Sequence, residues 1–352
     1  MPFTTQELSD AGLASLDYHL RNNPIDQIAT ERPLAKWLVS KQKEFPGGKQ
    51  FVQETLRKSY GSNFQWYYGA QQVTYNSRQT LNQANFAWSS VHDGYFIDED
   101  RLFQNGIVLD DNGRGGRSTD NERIQLANLF EEQNEVLRLG YEEQLDIHMH
   151  ENGAQSTEAV AGVDHLVSTD PTVGTVGGID AAANTWWRNH AVPALTSANI
   201  LASMDTAWRA AVRNGGFPDF ILAGSTFVDT YTVAVRAAAQ HQADIAGIRV
   251  ADMGIGMQTS GTDTGLKYKG LPIVWDPVAE DLDTLLAPPT PFVKRCYFLN
   301  SRHMKLRPAT GHNMNKRRPP REHDRYVHYF AITTKLAFTT NRRSAAAVLS
   351  VA

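Results

Sequence analysis

The pattern of hydrophobic and polar positions changes several times along the chain. Residues 4–20 have the spacing of a short helix, and Pro24 and Pro33 follow it. Because proline restricts the residue before it and usually ends a helix, we predict a helix and then an extended arm over residues 1–35. Over residues 37–103 the pattern favours strands.

Aromatic and polar residues alternate in the middle of this strand-rich region. Phe64, Trp66 and Tyr68 share one side of a predicted strand. A turn at residues 69–70 and a return strand from residue 73 would complete a hairpin. An isolated hairpin is only marginally stable in water, so these side chains need a further surface. The pattern leaves two alternatives open: an internal sheet of this chain, and a projecting loop that another subunit covers.

The strongest helical pattern covers residues 119–151. Thr119 stands three residues before Glu122, which is the spacing of a capping box. One face carries an apolar stripe from Phe130 to Met149, and glutamates occupy much of the rest. We therefore predict one long helix lying across a sheet, about 46 Å long at roughly 1.5 Å per residue.

Helices and strands alternate beyond a loop-rich connection over residues 153–193. A four-residue apolar spacing predicts a helix from Ile200, and the segment FPDFILAGS predicts a strand leading into a second helix. Strand-like segments follow in AGIRVAD, LKYKGLPIVWDP, VKRCYFLN and HMKLRP. The tail alternates again, with Phe330 and Phe338 on one face. We predict an α+β fold whose final strand rejoins the sheet begun near the N-terminus.

Composition narrows the class of protein. A length of 352 residues suggests two domains, and 41% hydrophobic with 20% charged residues is typical of a globular protein with a substantial core. The sequence shows no secretion signal and no apolar run long enough for a membrane helix, so we expect no membrane partner. The single cysteine, Cys296, excludes an internal disulfide, and its apolar surroundings predict a buried, inert thiol.

The motifs tested for chemistry point to no catalytic, cofactor-binding or metal-ligating residue. The glycine-rich run at Gly254 lacks the third glycine and the following helix of a dinucleotide site. His148 and His150 stand two apart on the predicted helix, so they cannot face one metal ion, and we expect both to be exposed to solvent. We expect no cofactor, and nothing positive supports an enzyme.

Charge is distributed unevenly. Residues 93–151 contain 15 acidic and 5 basic residues, whereas residues 294–343 contain 13 basic and 2 acidic residues, among them Arg317, Arg318 and Arg321. Basic clusters can neutralise phosphates, which makes a nucleic-acid-binding protein one alternative. The formal net charge of −4 favours the other alternative, in which the basic region of one copy meets the acidic region of another.

Trp186 and Trp187 adjoin each other in a stretch rich in glycine and asparagine. Stacking on a ligand would indicate a carbohydrate-active or other hydrolytic enzyme, but that reading normally requires several convergent polar groups. Only Arg188, Asn189 and His190 are near in sequence. Anchoring a connector between two domains fits better, because tryptophan buries a large area per residue.

The order of these parts resembles the major capsid proteins of tailed bacteriophages, whose fold is shared with herpesvirus capsids. The segments that carry the resemblance are DPTVGTVGGIDAAANTWWRN at residues 170–189, AAVRNGGFPDFIL, YKGLPIVWDP and CYFLNSRHMKLRP. The resemblance covers nearly the whole chain and implies the α+β fold of the Hong Kong 97 type. It implies an N-terminal arm at residues 1–35, a peripheral domain at 36–159 with an extended loop at about 44–92 and a spine helix at about 119–151, an α/β axial domain at 160–312, and a return segment at 313–352 that completes the peripheral domain.

The resemblance also implies a function. It implies self-assembly into pentamers and hexamers of an icosahedral shell that encloses double-stranded DNA, built in the cytoplasm of a bacterial host and found in the virion. The implied partners are other copies of the chain, a separate scaffolding protein, a portal and a decoration protein. The candidate subunit-interface residues are Phe64, Trp66, Tyr67, Tyr68, Tyr75, Arg317, Arg318 and Arg321, and the candidate connector anchors are Trp186 and Trp187.

Overall fold

The computed structural model describes residues 30–98, 100, 120–213, 215–243, 262–320 and 326–352. The helices in these ranges are α1 (Pro33–Ser40), α2 (Asp120–His150), α3 (Val163–Leu166), α4 (Ile200–Arg213), α5 (Ser225–Ala243) and α6 (Val278–Leu286). The strands are β1 (Phe51–Arg57), β2 (Leu81–Ala87), β3 (Ser89–Asp98), β4 (Thr175–Val176), β5 (Ile179–Asp180), β6 (His190–Leu195), β7 (Phe220–Ala223), β8 (Asp263–Tyr268), β9 (Leu271–Trp275), β10 (Arg295–Leu299), β11 (Met304–Pro308), β12 (Asn315–Arg317), β13 (Val327–Thr340) and β14 (Ala347–Val351). The predicted helix at 4–20, the capping residue Thr119, the strand AGIRVAD, the run at Gly254 and Arg321 lie outside the described residues.

The chain divides into two compact units. Unit 1 comprises residues 1–30, 91–145 and 311–334, and unit 2 comprises residues 31–90, 146–310 and 335–352.

In unit 1, helix α2 packs its apolar stripe against strands of a sheet. Leu137 and Tyr141 are buried together with Ile332 of β13. Strand β13 pairs with β12, where Lys316 stands opposite Ile332, and it also pairs with β3. The prediction of one long helix is therefore confirmed, and so is the prediction that the alternating tail returns to the sheet begun earlier in the chain.

In unit 2, a six-stranded mixed sheet follows the order β6-β14-β10-β7-β9-β8. Its core includes Ile200 and Met204 of α4 and Phe227 of α5, all fully buried, so the predicted inner faces of both helices are confirmed. Cys296 lies in β10 and is fully buried, and this burial raises the pKa of its thiol. The thiol is therefore as inaccessible as the sequence predicted.

Two segments of unit 2 differ from the predicted pattern. Residues 37–40 were expected to begin the strand-rich region, yet they belong to α1. Pro33 at the start favours a first helical turn, and the N–H of Ala35 donates to Asp146 at 2.9 Å. The end of the tail forms β14, which pairs with β10 and β6. Its run of apolar residues lacks alternation because a central strand is buried on both faces.

Candidate functional site

Strands β1 and β2 form an antiparallel hairpin whose base is packed against protein. The ladder runs from Phe51 opposite Ala87 to Arg57 opposite Leu81. The buried side chains of the base are Val52, Leu56, Ala84 and Phe86, each exposed by 8% or less. One face of the base is therefore covered within unit 2.

One further backbone hydrogen bond, from the N–H of Lys58 to the carbonyl oxygen of Thr80 at 2.9 Å, extends the ladder, and the connection over residues 59–79 beyond it forms no strand. The predicted strand at residues 64–68 and the predicted return strand from residue 73 are both wrong, whereas the turn at residues 69–70 is confirmed, with Gly69 at φ +57°. The aromatic alternation does not form strands because these side chains find no covering surface in the described part of the chain, and an uncovered ribbon is marginal in water.

Side chains replace the missing ladder in this connection. The backbone N–H of Thr74 donates to Oε1 of Gln65 at 3.2 Å, and the backbone N–H of Tyr68 donates to Oε1 of Gln71 at 3.1 Å. Such exposed side-chain contacts compete with water and each contributes little. The loop is therefore drawn together by weak polar contacts.

The aromatic side chains of this loop are open to solvent, and we call them the aromatic tip. They are Tyr60 (77% exposed), Phe64 (76%), Trp66 (89%), Tyr67 (69%), Tyr68 (88%) and Tyr75 (91%). A buried aromatic side chain removes roughly 150–250 Å² from water, so complete covering of the tip would remove on the order of 1,000 Å². An apolar surface of that size marks an interaction site.

The basic candidates lie on and after strand β12. Arg317 and Arg318 are both exposed. Nε of Arg317 donates to the hydroxyl of Thr333 at 2.7 Å, and the guanidinium of Arg318 stands 5.4 Å from the centre of the Phe330 ring. Neither arginine forms an ion pair with a carboxylate among the described residues.

The tryptophan pair lies in a 3₁₀ turn, Thr185–Trp187. Trp187 is 1% exposed, and its indole N–H donates to the carbonyl oxygen of Val176 at 3.0 Å. Trp186 is half-buried, with its ring 5.6 Å from that of Trp187. The guanidinium of Arg188 donates to two backbone carbonyls of the connector, at 2.7 and 2.9 Å. The guanidinium that a stacked ligand would need is thus engaged by the backbone, whereas Nε2 of His190 is buried without a hydrogen-bond partner among the described residues.

A buried arginine that no local sequence pattern indicates holds the same connector. Arg343 is 2% exposed and donates to the carbonyl oxygens of Leu166 and Trp187 and to Oδ1 of Asn189, at 2.8, 3.2 and 3.0 Å. All three acceptors are neutral, and desolvation lowers the pKa of Arg343 to about 10. Arg343 therefore stays charged at neutral pH and ties the connector to the turn that precedes β14.

A second buried cluster surrounds the C-terminal end of α2. Nε2 of His150 lies 2.6 Å from Oδ2 of Asp276, and Nδ1 lies 2.8 Å from the carbonyl oxygen of Asp146. Oδ1 of Asp276 accepts the N–H of Val278, and Oδ1 of Asp146 accepts the N–H of Ala35. A carbonyl and an ionised carboxylate can only accept, so both ring nitrogens of His150 donate. The cluster joins the ends of α1, α2 and α6.

The structure corrects the prediction that both histidines of α2 are exposed. His148 exposes 45% of its side chain, but His150 is only 3% exposed. Burial opposes the charge on His150, yet the carboxylates of Asp276 and Asp146 outweigh burial and raise its pKa to about 9. The adjoining cavity measures about 10 Å³, which is room for one water molecule and no substrate.

Within the described ranges, no group of three or more histidine, cysteine, aspartate or glutamate side chains is placed to hold a metal ion. In those same ranges, every helix is too short or too polar to cross a membrane.

No protein-family model and no curated protein matches the sequence. Solved structures do match it over nearly its whole length. The capsid asymmetric unit of cyanophage A-1(L) has a TM-score of 0.60 at 12% identity and covers 94% of this chain and 95% of that chain. A chain of Gordonia phage Cozz has a TM-score of 0.53 at 14% identity, covering 94% and 91%. The capsid of the native GTA particle has a TM-score of 0.51 at 11% identity, covering 97% and 98%. The chain thus has a mixed helix-and-sheet fold that matches tailed-phage capsid structures.

Proposed function

We propose that this chain, which has the fold of tailed-phage capsid structures, is the major capsid protein of a tailed bacteriophage and builds an icosahedral shell around double-stranded DNA. The observation that carries the proposal is the aromatic tip. Its six rings are open to water on a loop that lacks a backbone ladder. In a shell, an adjacent copy of the chain covers this surface, and the covering stabilises the contact.

The Hong Kong 97-type domain arrangement belongs to the same proposal. Residues 1–35 are the arm, residues 36–159 and 313–352 form the peripheral domain, and residues 160–312 form the axial domain. The length of α2 supports its role as the spine helix, and the six-stranded sheet with its helices supports the axial domain, to whose sheet the end of the return segment contributes β14. We also propose that Trp186 and Trp187 anchor the connector, since Trp187 is buried and bonded to backbone.

The contacts between copies combine apolar and charged surfaces. The aromatic tip supplies the apolar part, and the positive charges of Arg317, Arg318 and Arg321 suit the acidic region at residues 93–151 of another copy. Each subunit makes several such contacts, so closure of the shell is strongly cooperative. Identical chains that form both pentamers and hexamers need adaptable contacts, and a loop held by weak side-chain hydrogen bonds meets that need.

The role requires no bond chemistry, and the protein acts in the virion rather than as an enzyme. Its proposed partners are a scaffolding protein, a portal and a decoration protein, with assembly in the cytoplasm of the bacterial host. Packaged DNA lies inside the shell.

The proposal predicts particles from purified protein. Negative-stain microscopy of the protein, alone and with a candidate scaffolding protein, is expected to show uniform polyhedral particles. Persistent monomers or dimers under both conditions, combined with DNA binding that weakens steeply with salt, would instead identify a nucleic-acid-binding protein that uses the basic region.

A further inference from the structure

The direction of the β1–β2 hairpin depends on how its base is held. We propose that Glu54, Arg307 and Thr339 form a clamp that holds the hairpin at one angle to β11 and β13 and so positions the aromatic tip for assembly. The inference rests on the proposed function, which it deepens by naming positioning residues for the contact between copies.

The clamp consists of two short polar contacts of Arg307 and a longer one of the Thr339 hydroxyl with Glu54, and that hydroxyl stands equally far, at 3.4 Å, from the carbonyl oxygen of Lys305. Nη2 of Arg307 lies 2.6 Å from Oε1 of Glu54, and Nε of Arg307 donates to the hydroxyl of Thr339 at 3.0 Å. That hydroxyl in turn stands 3.4 Å from the same Oε1 of Glu54. The side chains of Arg307 and Glu54 are 13% and 17% exposed, and Thr339 is 1% exposed. Charge-assisted hydrogen bonds shielded to this extent are among the stronger polar contacts in proteins.

The position of Glu54 within β1 allows the clamp to fix where this strand lies. Glu54 is the sole acidic residue of β1, and it stands on the same face as the buried Val52 and Leu56. An apolar face tolerates small slips because hydrophobic contact has no preferred direction. A carboxylate in that face is stable only where its partner meets it, so the Arg307 pair selects a single placement of the strand.

A second contact holds the other strand of the hairpin. The N–H of Asn85 in β2 donates to the carbonyl oxygen of Gly177 at 2.9 Å. Gly177 has φ +61°, and a Cβ there would stand 2.9 Å from the Cβ of Ala84, so the approach is close enough to require glycine. The base is therefore held on both strands.

A small rotation at the base of the hairpin, where the clamp lies, produces a larger displacement of the aromatic tip. At about 3.3 Å per extended residue, the roughly 15 residues between Glu54 and Gly69 reach at most about 50 Å. A rotation of about 10° at the base would then move the end of the loop by several ångströms, which is enough to separate aromatic rings from their partner surface.

Hydrogen exchange in the unassembled subunit tests the clamp independently of particle formation. In Glu54→Gln, amides of β1 and β2 are expected to exchange at least tenfold faster, with exchange in the six-stranded sheet unchanged. The rate of particle assembly is expected to fall at least tenfold. The matched control is Glu280→Gln, which changes an exposed glutamate of α6 outside the clamp and outside the acidic region at residues 93–151, and it is expected to change neither rate.

Each outcome decides a separate point. Unchanged exchange in β1 and β2 of Glu54→Gln overturns the clamp whether or not particles form. Faster exchange with assembly at the wild-type rate overturns the positioning role and leaves the capsid proposal intact. A wild-type chain that never forms particles counts against the proposed function, while the exchange measurement still judges the clamp. If Glu54→Gln does not fold, the double variant E54Q/R307Q, which leaves no unpaired buried charge, carries the same measurements.

Discussion

Replacing Trp66, Tyr68 and Tyr75 together by serine is expected to abolish particle assembly and to leave the melting temperature of the subunit unchanged. The three side chains are 88–91% exposed, so their removal takes away almost no packing within the chain. Buried aromatic anchors at interfaces contribute about 2 kcal/mol or more each. Three of them amount to roughly 6 kcal/mol at each contact, which is more than about 10⁴-fold in association.

Sucrose-gradient sedimentation for particles and thermal unfolding of the subunit measure the two halves of this prediction. Leu285→Ser is the matched control, because Leu285 is an apolar side chain that is 66% exposed outside the aromatic tip. It is expected to assemble normally. Wild-type particle yield from the triple variant would mean that the tip does not form the contact.

The second large effect is expected at the buried cluster around His150. Removing one partner of a buried ion pair leaves the other charge uncompensated and typically lowers the free energy of unfolding by about 3–5 kcal/mol. His150→Ala is expected to show a loss of this size in denaturant unfolding, because Asp276 and Asp146 then face each other without a cation. His148→Ala, at an exposed site two residues away, is expected to change the free energy of unfolding by less than about 0.5 kcal/mol.

The same cluster predicts a pH dependence with a definite sign. The folded-state pKa of His150 is about 9 and its ordinary value is 6.5, so its stabilisation is fully present below pH 6.5 and is lost as the pH rises through 9. The difference in free energy of unfolding between the wild type and His150→Gln is expected to shrink by about 3 kcal/mol across this window. A difference that grows with pH, or stays constant, would contradict the assignment of a charged His150.

The other groups around His150 are separated from it by the comparison with His150→Gln. Burial raises the pKa of Asp146, so ionisation of that carboxylate also opposes folding, and the difference between the two proteins, not the absolute free energy of unfolding, reports on His150. Arg295 and Tyr297 line the adjoining cavity. Arg295 remains charged throughout, and burial raises the pKa of Tyr297 above its ordinary range, so neither titrates between pH 6.5 and 9. Asp276 is the direct partner of His150.

The periodicity of apolar residues was sufficient to predict an element where that element packs along one face. The apolar stripe of α2 and the inner faces of α4 and α5 follow helical spacing, so their existence and direction were predictable. The aromatic alternation at residues 64–68 predicted a strand that does not form. A period of two predicts a strand only if another surface covers one of its faces. Strand β14 has no periodicity, since both of its faces are buried.

The residues of the candidate site also differ in whether the sequence could predict them. The residues of the aromatic tip could be selected from sequence because aromatic side chains in a polar loop need a partner. The role of Arg343 could not be predicted from the sequence, since two of its three acceptors are backbone carbonyls brought together by folding. His150 and Asp146 are four residues apart on one helix face, which was an available signal of interaction. Asp276 is 126 residues from His150 in sequence, and no local pattern indicates that pairing.

Hydroxyl-radical footprinting of the aromatic tip, read by mass spectrometry in the free subunit and in the assembled particle, tests most directly whether another copy covers these rings. We expect Trp66, Tyr68 and Tyr75 to react readily in the free subunit and to be strongly protected in particles, while Leu285 changes little. Equal reactivity of the three rings in both states would contradict the account.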